Sequence, residues 1–207
     1  MFSRFFLLTI LHLIFQISIT GAAATVYKTR KMKLSFSSLL ILLFLFIGLL
    51  FGLEFTTIPI VIRFIMFCVF SIINGVLVSN YLENTNADDI KKTIIYTTTI
   101  FIMMVFLGII LFKLKTNIQP LIFFIMVYSI AMLFLSIYTL FLSEKQPIQK
   151  YKRLGFIALF SLYIVIDTYF NMNRDFDNDL VRSTIAYYTD ILGIFRNIQA
   201  QIGRAHV

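Results

Sequence analysis

The stretch FSLYIVIDTYFN, residues 160–171, places a carboxylate, Asp167, near the end of an otherwise apolar run. A second acid, Asp190, interrupts AYYTDILGIF at 186–195. An isolated acid in membrane-grade sequence is costly, and it needs a cation, a hydrogen-bond partner, water or a proton. Their surroundings decide the fold class. Of 207 residues, 59% are hydrophobic and 14% charged, and the mean hydropathy is +0.90. A soluble domain of this size would not expose so much Ile, Leu and Phe. Long apolar runs indicate helices rather than a barrel. The expected fold is an all-α membrane protein, a bundle of seven transmembrane helices forming one polytopic domain over residues 1–201.

The seven apolar spans are 4–26, 36–53, 59–80, 93–112, 119–142, 153–170 and 180–200. Short polar connections such as KTRKMK at 28–33 and ENTNADDIKK at 83–92 separate them. Pro59 and Pro120 fall near span starts, where a missing N–H is harmless, and Pro147 falls in a loop. The net charge of +8 resides in the loops, so it orients a membrane protein and does not indicate nucleic-acid binding. With seven spans, eleven Lys and Arg collect on one side and six on the other, which favours a cytosolic C-terminus. The single cysteine, Cys68, excludes an internal disulfide. Residues 202–207, IGRAHV, match the translation of a common sequencing adapter and are taken as a non-native tail.

The first span imitates a signal peptide, with Arg4 ahead of an apolar run and Gly21-Ala22-Ala23-Ala24 after it. Thr9, His12, Gln16 and Thr20 nevertheless recur at spacings of three and four, on one helix face. A cleaved signal has no use for such a face, so a retained helix is expected. Ser71, Asn74 and Gly75 read as helix–helix contacts. His12 has no native histidine companion, so a histidine metal site is not expected.

In the last span Ser183, Ala186, Asp190, Gly193 and Asn197 form one small and polar face. Packing explains the small residues but not Asp190. Its expected partner is Asp167. The two acids differ in depth unless the intervening loop is asymmetric, with the seventh helix starting near Leu180. If they meet, one proton is shared and the pair titrates as a unit. That arrangement is a proton-controlled latch and a candidate transient calcium contact. Arg63, early in the third span, either snorkels or serves as a counter-charge to an aspartate.

These residues resemble the Bax inhibitor-1 family, the transmembrane Bax inhibitor motif proteins. Their sixth-helix motif, Tyr-Asp-Thr-Gln, appears here as Ile166-Asp167-Thr168-Tyr169. Their seventh-helix motif, Leu-Tyr-Leu-Asp-Ile-Ile-Asn-Leu-Phe, appears as Tyr187-Tyr188-Thr189-Asp190-Ile191-Leu192-Gly193-Ile194-Phe195. Ile166, Tyr169 and Gly193 depart from the pattern. The resemblance implies a central seventh helix and a pH-sensitive calcium leak, with Asp167 and Asp190 as pH sensor and gate. It implies no cofactor, with calcium as the permeant ion. It also implies residence in the endoplasmic reticulum or Golgi, or in the plasma membrane of a bacterium. Partners would be the lipid bilayer, calcium ions and membrane proteins that control cell death, with no nucleic acid.

Enzyme readings fare worse. Presenilin-like proteases need Gly-x-Gly-Asp, absent around Asp190, and zinc hydrolases need several histidines. A non-enzyme is expected. The alternatives are a proton-coupled transporter and a non-conducting interaction protein.

Overall fold

Polar residues facing inward and apolar ones facing outward is the pattern a bilayer imposes on a helix that packs against protein. The first span follows it. In the computed structural model, Thr9, His12, Gln16 and Thr20 are all buried, while Leu7, Leu11, Ile14 and Phe15 are exposed. The structure describes residues 4–30, 35–54, 58–82, 85–141, 147–173 and 179–202. The expected tail therefore falls outside the described residues except for Ile202. Among the described residues there are seven α-helices and no strand: α1 Arg4–Thr29, α2 Phe36–Glu54, α3 Ile60–Leu82, α4 Ala87–Lys113, α5 Gln119–Leu140, α6 Pro147–Asn173 and α7 Leu180–Ile202. By length and composition, α1, α3, α4, α5 and α6 are each sufficient to cross a membrane. The stretch Leu40–Glu54 of α2 is apolar but shorter.

The chain forms two compact units, residues 1–85 with 176–188 and residues 86–175 with 189–207. Residues of α7 belong to both. In the first unit, α1 packs on α3 at Gly75. A Cβ there would come within 2.5 Å of the Thr20 carbonyl oxygen and 2.7 Å of the Ala23 Cβ. Only glycine permits this approach of the two backbones. Phe67, Phe70 and Tyr188 pack edge-on or tilted behind it.

In the second unit, α4 meets α6 at Gly108, whose absent Cβ would lie 2.6 Å from the Thr168 Cβ and 2.7 Å from the Val165 carbonyl oxygen. Between α5 and α6, Ile118, Ile125, Met132, Leu159 and Ile166 form an apolar core. Two hydrogen bonds join the same pair of helices, Tyr128 Oη donating to the Gly155 carbonyl at 3.0 Å and Ser129 Oγ meeting Tyr163 Oη at 2.7 Å.

Two helices start earlier than hydropathy indicates. α4 begins at Ala87 rather than 93, with Asp88 and Asp89 in its first turn, where carboxylates complement the helix dipole. α6 begins at Pro147 rather than 153. Pro147 is not in a loop but opens the helix, a position that suits its fixed φ and missing N–H. These first turns are polar, so apolar counting passes over them. α7 departs in composition. It is not an apolar span like the others, for it carries the buried Ser183, Thr184, Asp190 and Gln199. Only Arg182 of its residues is exposed, so the helix has no lipid-facing side to keep apolar.

Candidate functional site

The two aspartates lie in the second unit, on α6 and on the later part of α7. α7 starts at Leu180, the start that pairing required. Asp190 then lies ten residues into its helix, roughly 15 Å along the axis. The carboxyl groups of Asp167 and Asp190 lie within hydrogen-bonding reach of each other. Asp190 is 6% exposed and Asp167 half-buried. Asp190 Oδ2 is buried and meets no hydrogen-bond donor in the structure.

Close packing fixes both acids. Thr168, next to Asp167, is fully buried; its Oγ1 donates to the Ile164 carbonyl at 2.7 Å, and its Cβ seats against Gly108. On α7, Gly193 lies one turn beyond Asp190. A Cβ there would meet the Phe160 ring at 2.5 Å. Phe160 lies seven residues before Asp167, two turns along the same face. Gly193 thus does here what the motif's asparagine would not: it lets the Phe160 ring lie against the α7 backbone.

Residues 3–205 match the family described as "Inhibitor of apoptosis-promoting Bax1". The chain belongs to the Bax inhibitor-1 family. A comparison with curated proteins found no match. As a member of that family with, among the described residues, five helices long and apolar enough to span, the chain is an integral, multi-pass membrane protein.

Arg63 belongs to the other unit and joins a different acid. It is 3% exposed and donates through Nη1 to Asp179 Oδ2, while Nε and Nη2 donate to the Leu53 carbonyl at 3.1 and 2.6 Å. Arg63 is therefore a counter-charge to an aspartate, but to Asp179 rather than to the paired acids, and it does not snorkel. Asp179 also caps α7, accepting from the Arg182 backbone N–H at 3.0 Å through Oδ1. Sequence reasoning left Asp179 in a loop; the signal was an Asp immediately before Leu180, the start of α7.

A second arrangement that sequence reasoning missed surrounds His12. Its Nδ1 lies 3.0 Å from Thr184 Oγ1 and its Nε2 lies 3.0 Å from Gln16 Nε2. Ser71 Oγ donates to Gln16 Oε1 at 2.7 Å, and Thr20 Oγ1 meets Tyr188 Oη at 2.6 Å. Ser71 and Gly75 both contact α1, and Asn74 donates to the Phe70 carbonyl at 3.0 Å.

Among the described residues no group of three or more His, Cys, Asp or Glu side chains could hold a metal ion. Asp167 and Asp190 together offer four carboxylate oxygens, short of the six to eight that calcium takes. A cation at the pair would keep water in its shell.

Proposed function

We propose that the chain is a non-enzymatic, pH-sensitive calcium leak of an intracellular membrane, controlled by the Asp167–Asp190 pair. The meeting of the two carboxyls on α6 and α7 carries this reading. Two carboxylates at hydrogen-bond distance, largely removed from water, cannot both ionise easily. One proton between them gives the buried Asp190 a partner and ties α6 to α7. Loss of that proton leaves two like charges in contact, which repel and attract a divalent cation. The pair titrates as one unit, so neither acid works without the other. Membership of the family supports the same reading, and suppression of cell death through other membrane proteins is part of it.

The test is calcium flux into dye-loaded liposomes holding purified protein, read across a pH series. The expected result is a leak whose rate depends on pH in wild type and is flat in Asp167→Asn and in Asp190→Asn. A pH response that survives in both variants removes the pair from the mechanism. Absence of calcium flux in wild type favours an interaction protein instead.

A further inference from the structure

We infer that His12 is a second proton-binding site, coupled to a reversible turn of the Gln16 side-chain amide between α1, α3 and α7. The site lies wholly within the first unit and includes neither Asp167 nor Asp190, so it stands or falls separately from the proposed leak mechanism.

The hydrogen bonds around His12 form a directed chain. Ser71 Oγ donates to Gln16 Oε1, and the Gln16 amide N–H groups point to His12 Nε2 and, at 3.8 Å, to Cys68 Sγ. A Gln amide donates, so His12 Nε2 accepts and the ring proton sits on Nδ1. Nδ1–H then donates to Thr184 Oγ1, whose own proton goes to the Leu180 carbonyl at 2.7 Å. Every member is satisfied, and the neutral ring is held in one tautomer.

The same chain runs in reverse when a proton is added. A proton on Nε2 faces the Gln16 amide N–H groups, which cannot accept it. Turning the amide by half a revolution places Oε1 against Nε2–H and the thiol of Cys68, and aims the amide N–H groups at Ser71 Oγ. Ser71 then redirects its proton to the carbonyl one turn earlier in α3, a bond open to any helical serine. No polar group is lost in the exchange, and the Nδ1–H bond to Thr184 stays.

One further feature favours charge on this ring. Phe64 stacks on it at 5.2 Å between centroids, which brings the face of an aromatic ring to a cation, while Phe67 stands edge-on at 5.4 Å. A cavity of about 240 Å³, lined by His12, Ile60, Val61, Phe64, Leu180 and Val181, reaches the ring. Ile60 and Leu180 are the first residues of α3 and α7, so the cavity lies beside helix ends. The groups in described contact with the ring are Gln16 on α1, Phe64 and Phe67 on α3, and Thr184 on α7. Other titratable or charged groups of these helices include Cys68 beside Gln16, Tyr188 bonded to Thr20, Arg63 paired with Asp179, and Arg182 paired with Glu54.

The test is nitrogen-15 NMR of the full chain in lipid bilayers, labelled at histidine and glutamine, in a His206→Asn background that leaves His12 as the one histidine. The expected result at neutral pH is a single tautomer, protonated at Nδ1 and bare at Nε2. Acidification to pH 4 should protonate Nε2 and shift the Gln16 amide signal in step. Gln16→Met should lose the single tautomer and show a mixture. A proton on Nε2 at neutral pH, an Nε2 that stays bare down to pH 4, or an unmixed tautomer in folded Gln16→Met would each overturn the inference. The first two readings use an unaltered core, so a misfolded variant does not decide the matter.

Discussion

Removing the charge of Asp179 should destabilise the first unit far more than removing Asp179 and Arg63 together. Arg63 is 3% exposed and the Asp179 side chain 13%, so water cannot replace a lost partner. Breaking such a pair from one side costs about 3–5 kcal/mol, because it strands a buried charge. Exchanging both partners for apolar residues of similar volume is close to neutral. The two roles of Asp179 can be separated. Asp179→Asn keeps a good helix cap and loses the charge, whereas Asp179→Ala loses both, for a further ~1 kcal/mol. The Leu53 carbonyl still accepts from Arg63 in either variant, which places the expected cost of Asp179→Asn at the lower end, about 3 kcal/mol. The assay is a double-mutant cycle of Asp179→Asn with Arg63→Met, read by reversible unfolding in bicelles. With each single substitution costing about 3 kcal/mol or more and the double variant close to neutral, a coupling of at least about 3 kcal/mol is expected. Strict additivity of the two substitutions would show that the ion pair contributes nothing and would refute the reasoning.

Other substitutions test the packing. Gly75→Ala should cost roughly 1–3 kcal/mol, since its Cβ meets backbone at Thr20 that cannot turn aside; Gly21→Ala and Gly48→Ala, which have nothing within 4 Å, should stabilise by roughly 0.5–1 kcal/mol in the same unfolding assay. Lys115 has φ 52° at the end of α4, where its N–H and that of Thr116 close a Schellman turn onto Phe112 and Leu111. Lys115→Gly relieves that left-handed conformation and should raise stability by roughly 0.5–1 kcal/mol, read as a higher unfolding midpoint. Tyr188→Phe removes a buried hydroxyl bonded to Thr20 and should cost about 1 kcal/mol without changing helix content by circular dichroism.

The helices and the acid pair were legible because each rests on a local signal. Apolar runs mark spans, and a carboxylate inside one stands out against them. The three-and-four spacing of Thr9, His12, Gln16 and Thr20 marked the buried face of α1. What stayed hidden depends on partners distant in sequence. Nothing local tells Arg63 to meet Asp179 rather than Asp167, because the choice is made by where α3 and the start of α7 come together. His12 looked inert as a metal ligand, and only its neighbours Gln16, Ser71 and Thr184 give it chemistry. The starts of α4 and α6 escaped for a different reason. Their first turns are helical but polar, so hydropathy alone cannot see them.

The central claim is that Asp167 and Asp190 act as one proton-controlled unit. The most direct measurement is the pH profile of calcium flux in liposomes for Asp167→Asn, Asp190→Asn and the double variant beside wild type. Acids that share one proton lose their response together, so each single variant should be as flat as the double. Single variants that each keep part of the response, with losses that add in the double variant, would contradict the account.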